Sequence, residues 1–191
     1  MNEVRLYSDF NCPFCYALHE RLHGLGLLDR VLWQGVQHAP HLSLPMATWG
    51  GPLAAELRQE VELIRRLAPE VPIRVPSGKP NTKRAIAAAA RAVQQDRSRG
   101  LVFARALYRS FWLEGKDLSD EEVLREAARR SELAPTEVVG PAALSVDSLL
   151  WTWQEQWTET DHAGVPLLER QDQSILVGLV PTESLRAFLH D

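Results

Sequence analysis

Between Val4 and Val36 the chain reads strand, helix, strand, and its only two cysteines, Cys12 and Cys15, fall at the first strand-to-helix turn. Val4-Arg5-Leu6-Tyr7 alternates as a strand does and stops at Ser8-Asp9. From Pro13 to about Leu27, Phe14, Leu18, Leu22 and Leu25 recur at helical spacing, and Gly24 and Gly26 loosen the end. Val31 to Val36 reads as a second strand. In open α/β sheets, sites are built outside the C-terminal ends of the strands. The unit therefore predicts both an α/β fold and the place of its chemistry.

The spacing of the two thiols narrows that chemistry. Residues three apart in a first helical turn hold their α-carbons about 5 Å apart, inside the window a disulfide needs. Pro13 suits the first helical position, where its fixed φ matches and its missing N–H is no loss. Cys12 is then the N-cap, its sulfur facing the free N–H groups of Phe14 and Cys15 and the positive end of the helix dipole. Both favour thiolate, so the Cys12 pKa is expected below the ordinary cysteine value. Cys15, one turn inside, is expected to be shielded and to act as the resolving thiol. A structural disulfide here would close only a tiny loop and stabilise little. Zinc would need two further ligands at suitable spacing; His19 lies four after Cys15, but no second Cys or His pair follows. A dithiol–disulfide redox pair is the favoured reading, with no metal.

Composition sets the setting. A length of 191 residues suits one domain, or one domain carrying an insertion, and 45% hydrophobic with 24% charged residues is ordinary for a soluble globular protein. A net charge of −4 without a concentrated basic patch argues against a nucleic-acid partner. No apolar run approaches the ~18 residues of a membrane span. The opening Met-Asn-Glu-Val-Arg-Leu-Tyr carries no charged n-region, apolar h-region or cleavage site. A cytoplasmic location is expected, and there a Cys-x-x-Cys is more often catalytic than structural.

The middle of the chain is helical. Residues 40–52 hold three prolines and adjacent glycines and read as a loop. Ala54–Leu67 carries Leu57, Val61 and Ile64 on one stripe. After four prolines between 69 and 80, Asn81 is expected to cap an alanine-rich helix to about Arg97. Leu101–Leu113 is another helix, ended by Gly115; Ser119-Asp120-Glu121-Glu122 opens the next, to about Ser131. Pro141–Trp157 is a further helix, with Leu150, Trp153 and Trp157 on its core face. Residues 166–170 and 174–177 flank a hairpin-length turn, and Pro181 opens a last helix through Leu189.

This order resembles the thioredoxin fold, and the helical block makes it similar to the DsbA family. The closer likeness is to its cytosolic FrnE-like branch, which neighbours the 2-hydroxychromene-2-carboxylate isomerases and kappa-class glutathione transferases. It is carried by Asp9-Phe10-Asn11-Cys12-Pro13-Phe14-Cys15, Pro80-Asn81-Thr82, Phe111 to Ser119, and Gly164-Val165-Pro166. The resemblance implies a thioredoxin-like domain over 1–40 and 141–191, with an all-helical domain inserted at 41–140. It implies a thiol-disulfide oxidoreductase with Cys12 as nucleophile and Cys15 as resolving cysteine. It also implies a cis peptide bond before Pro166, with Pro13, Phe14, Val165 and Pro166 at the substrate. Protein or small-molecule disulfides and thiols are the implied partners, glutathione among them, with no bound cofactor beyond the cysteine pair.

The chain departs from the family in informative places. Pro13-Phe14 replaces the Pro-His of strongly oxidising members, so one charge-assisted contact to the thiolate is missing and a milder, more reducing couple is expected. Leu167-Leu168-Glu169-Arg170 brings a charged pair expected to narrow or polarise the groove. The isomerases and kappa transferases usually have serine where this chain has Cys12, which argues against them; the non-enzyme alternative is a redox-sensing binding module whose partner affinity follows the Cys12–Cys15 state. Asp9 is read as a turn cap or a tuner of proton transfer from Cys15. His162, four before Pro166, is read as a solvated helix-end residue or a tuner of the sulfurs. His38 and His41 stand too isolated for a metal pair, and Arg5, Lys79, Lys83 and Arg84 read as surface charge unless a glutathione carboxylate meets them.

Overall fold

The computed structural model describes residues 4–141 and 143–190. Residues 1–3 and 191 of the expected outer domain, and residue 142 of the expected Pro141 helix, lie outside the described residues. Strand β1 (Val4–Ser8) leads into helix α1 (Pro13–Gly24), then a short 3-10 turn and strand β2 (Val31–Gly35). β1 and β2 pair in parallel, with Leu6 opposite Trp33 and Ser8 opposite Gly35. Near the other end of the chain, β3 (Leu167–Arg170) and β4 (Ile175–Val177) form an antiparallel hairpin. β3 pairs antiparallel to β1, so the sheet order is β2-β1-β3-β4. β1 is therefore central, and the end of it that leads to the cysteines is flanked by both neighbours.

Between the two halves of the sheet run α2 (Gly51–Leu67), α3 (Lys83–Gln95), α4 (Arg97–Trp112), α5 (Glu121–Arg130), α6 (Pro135–Val138) and α7 (Leu144–Glu159); α8 (Thr182–His190) closes the chain. This is a thioredoxin fold with a helical insertion, as the family resemblance implies. The apolar stripe of α2 is buried as expected at Leu57, Val61 and Ile64. α3 buries five alanines, and the small side chains let it lie close to α4. A Cβ on Gly100 of α4 would sit 2.5 Å from the backbone of Val93. Among the described residues, no helix is long and apolar enough to cross a membrane.

Several boundaries differ from the sequence reading, each for a local reason. α4 begins at Arg97 because Asp96 accepts a hydrogen bond from the Arg99 N–H. Thr82, not Asn81, is the residue before α3, and Asn81 Oδ1 accepts from Lys83 N–H one step further in. α7 starts at Leu144 rather than Pro141 and runs on to Glu159. α6 is a single turn after Pro135, too short for a periodicity to reveal. Asp120 caps α5 as read, through Glu122 N–H, with acids in its first turn.

Candidate active site

The site grows from the loop that ends β1. Phe10 is fully buried there, and its carbonyl accepts from the Trp112 indole at 2.9 Å. Asn11 donates to the Pro80 carbonyl at 3.0 Å. These bonds tie the loop to α4 and to the segment before α3. The Cys12 N–H donates to the Asp9 carbonyl, and the Cys12 carbonyl accepts from Tyr16 N–H, which turns the chain into α1. Cys12 is the N-cap, with extended φ and ψ, and Pro13 follows at the first helical position.

Both cysteines are free thiols, and they differ in environment. Cys12 is 5% exposed and Cys15 1%. Burial pushes the Cys12 thiol up. The Cys15 thiol and backbone N–H, followed by the positive charges of His38 and Lys79, outweigh that and bring it below the ordinary value. The sulfur makes no full capping hydrogen bond to the first turn, which the sequence reading had expected. Its hydrogen bond is to the Val165 carbonyl, at 3.3 Å. Cys15 is pushed well above the ordinary value, by burial first and then by Cys12 beside it. Its sulfur accepts from the Asp9 N–H at 3.4 Å.

The Val165–Pro166 bond is cis, as is Leu44–Pro45. Pro166 is buried and Val165 half-buried, and the Val165 carbonyl lies against Cys12. Pro13 is buried and Phe14 half-buried at the start of α1. The structure thus brings Cys12, Cys15 and Val165-Pro166 together across the whole length of the chain. His162 is exposed beyond the end of α7, its backbone N–H on Thr160 Oγ1, and it does not join them. The charged pair of β3 is committed elsewhere. Glu169 Oε2 accepts from Tyr7 Oη and Arg5 Nη1, and Arg170 lies over Phe188 and bonds carbonyls of α8.

Asp9 is the residue whose place departs most from expectation. Its carboxylate does not cap the turn. It is fully buried, with Oδ1 accepting from Thr82 Oγ1 at 2.6 Å and Oδ2 from His38 N–H at 3.0 Å and His38 Nδ1 at 2.8 Å. His38, which in sequence reads only as too isolated for a metal pair, is here the partner of a buried carboxylate. The parallel register explains its position: Ser8 lies opposite Gly35, and Val36 N–H bonds the Ser8 carbonyl, so the residues just after both strands meet. Lys79, from the loop before α3, bonds Glu60 at 2.6 Å and adds positive charge near Cys12. Beside Cys15, Ser8 Oγ and Tyr108 Oη share a 2.6 Å hydrogen bond, and the Ser8 hydroxyl offsets a part of the upward push on the thiol.

No three His, Cys, Asp or Glu side chains gather as a metal site among the described residues. A cavity of about 560 Å³ lies elsewhere, between the end of α1 and α4, and is lined by Leu101, Arg105 and Arg109 but by neither cysteine.

A family model described as DSBA-like thioredoxin domain matches residues 3–190. No curated protein matches the chain. Among solved structures, it is similar to a candidate protein disulfide isomerase from Nitrosomonas europaea, with 14% identity, TM-score 0.80, and 98% of this chain and 95% of that one covered. It is similar to a 2-hydroxychromene-2-carboxylate isomerase at 15% identity and TM-score 0.72, covering 98% and 94%. It is also similar to the cytosolic disulfide reductase DsbM from Pseudomonas aeruginosa with GSH, at 16% identity and TM-score 0.68, covering 98% and 96%. At these identities the likenesses establish the fold.

Proposed function

Because the chain belongs to the DSBA-like thioredoxin domain family, we propose that it is a thiol-disulfide oxidoreductase that works through Cys12 and Cys15. The observation that carries this reading is the asymmetry of the pair. Cys12 is the more exposed thiol and is held toward thiolate, while Cys15 is buried and held toward thiol. The thiolate is the nucleophile in disulfide exchange. Cys12 attacks a substrate disulfide, the substrate S–S bond breaks, and a mixed disulfide with Cys12 forms. Cys15 then loses its proton and attacks the Cys12 sulfur, which releases the second substrate thiol and leaves the Cys12–Cys15 disulfide. A reduced thiol pool or partner returns the dithiol.

Within this proposal Val165 and Pro166 border the substrate, and the Val165 carbonyl beside Cys12 is a backbone acceptor on that border. Pro13 and Phe14 form its other side. The outer domain is 1–40 with 141–191 and the helical domain 41–140, and the protein is a FrnE-like member acting in the cytoplasm. The likeness to a cytosolic reductase solved with glutathione supports glutathione as a substrate or recycling thiol. An isomerase or transferase of the 2-hydroxychromene-2-carboxylate type is the second reading, supported by the shared fold. The free Cys12 thiol weighs against it.

Two variants test the roles. Cys12→Ser is expected to abolish disulfide turnover. Cys15→Ser is expected to accumulate mixed disulfides visible by mass spectrometry, because the resolving attack is gone. Undiminished turnover by the Cys12 variant would refute the assignment, and saturable glutathione binding with no disulfide turnover by the wild type would favour the isomerase reading.

A further inference from the structure

We propose that His38, oriented by the buried carboxylate of Asp9, is the electrostatic and proton-transfer partner of Cys12. It thereby fills, from the end of β2, a role that no residue between the two cysteines can fill in this chain. The inference rests on the reading of Cys12 as the nucleophile. Pro13 and Phe14 carry no charge and no side-chain donor, so the Cys-x-x-Cys turn itself supplies no cation.

The geometry is a relay centred on Asp9. Its backbone touches both cysteines, since its carbonyl accepts from Cys12 N–H and its N–H donates to Cys15 Sγ. Its side chain fixes His38 twice, at the backbone N–H and at Nδ1, and is itself held by Thr82. A nucleophile, a histidine and a carboxylate that orients it form the arrangement used to activate nucleophiles generally. With Nδ1 on Asp9, Nε2 has no hydrogen bond among the described residues and is the nitrogen free to exchange a proton. The His38 side chain is 27% exposed, so a substrate can reach it.

The charged and titratable groups around His38 are Asp9 from the end of β1, Cys12 from the start of α1, and Lys79 from the loop before α3, with Lys79 paired to Glu60 of α2. Burial alone would lower the His38 pKa. The Asp9 hydrogen bond and charge, with the Cys12 charge, raise it above 6.5. The reciprocal effect lowers Cys12.

In turnover the Cys12 thiolate bonds to one sulfur of RS–SR′, the S–S bond breaks, and R′S⁻ takes the proton from the His38 imidazolium. R′SH and neutral imidazole result. The proton released when Cys15 ionises restores the imidazolium, and RS⁻ accepts it when Cys15 displaces RS⁻ from Cys12. Two protein thiols and one disulfide become one protein disulfide and two thiols.

The test is the pH dependence of Cys12 alkylation by iodoacetamide in the reduced protein, with ultraviolet thiolate absorbance as a second readout, for wild type, His38→Gln, His38→Ala and Lys79→Met. Both His38 variants keep the backbone N–H and Thr82 on Asp9, so the fold is expected to persist, and unfolding midpoints verify it. The His38 variants are expected to move the alkylation midpoint up by about one pH unit, which is about tenfold slower reaction below the midpoint. Lys79→Met is expected to move it less, because Glu60 already balances that charge. An unmoved midpoint in both His38 variants, or an equal shift in Lys79→Met, overturns the inference. Alkylation needs no substrate, so absence of disulfide turnover in the wild type would count against the oxidoreductase reading and not against His38.

Discussion

Two cysteines three apart share a turn of helix, yet their neighbours push them in opposite directions. Hydrogen bonds from Cys15 and the positive charges of His38 and Lys79 hold Cys12 toward thiolate, whereas burial and Cys12 hold Cys15 toward thiol against the opposing Ser8 hydroxyl and Asp9 N–H. A third residue of the same helix shows the cost of burial without such partners. His19 is fully buried, its two ring nitrogens find no hydrogen bond among the described residues, and burial holds its pKa down at about 4 against an ordinary 6.5. The unfolded chain therefore takes up this proton more readily than the folded one. The stability that belongs to the neutral ring is complete above pH 6.5 and is lost as pH falls toward 4, by roughly 3 kcal/mol for this residue. Denaturant unfolding at pH 7 and pH 4 is expected to show a drop smaller by about that amount in His19→Leu. An equal drop in both proteins would mean that His19 does not titrate in this way.

At the scale of elements, close approach and capping decide more than propensity. α3 and α4 are joined at Asp96 and pack so tightly that Gly100 has no room for a methyl group against the backbone of Val93. Gly100→Ala is expected to cost about 1–3 kcal/mol in unfolding free energy, the usual range for overpacking; a neutral substitution would show that the two helices can separate freely. The same elements show what was legible in the sequence. β1, α1, β2 and the hairpin were readable because their apolar periods and turn residues agree, and the cis Val165–Pro166 was implied by the family likeness. The early start of α4 was hidden in the charged run Asp96-Arg97-Ser98-Arg99, where the signal is one cap rather than a hydrophobic stripe. His38 was hidden for a different reason. Its partner, Asp9, is brought to it only by the parallel register of β1 and β2, and no local pattern encodes that pairing. A histidine and an aspartate placed just past the ends of two strands of one β-α-β unit was the available clue.

At the scale of the whole molecule, α1 is the shaft to which the other parts are fixed. Arg21, 8% exposed, donates to the Leu67 carbonyl at the end of α2, to the Val180 carbonyl before α8, and to Glu70. Glu20, next to it, accepts from Arg105 and Arg109 of α4. Arg21→Met would leave two carbonyls without their donor. A loss of about 2–4 kcal/mol is expected from unsatisfied buried acceptors and lost charge-assisted bonds, measured by denaturant unfolding. A loss below about 0.5 kcal/mol, the ordinary range for surface substitutions, would contradict this role. Held in this way, the helical insertion delivers Thr82 and Lys79 to the cysteine end of the sheet, while the C-terminal half delivers Val165-Pro166. The site is thus assembled from three distant stretches of chain, and its chemistry is the central claim. That claim is tested most directly by a redox titration of the purified protein with thiol-specific alkylation read by mass. Cys12 and Cys15 are expected to interconvert together, as one two-electron dithiol–disulfide couple, with a midpoint between about −270 and −180 mV. Thiols that remain unoxidised from about −350 to −100 mV would contradict it.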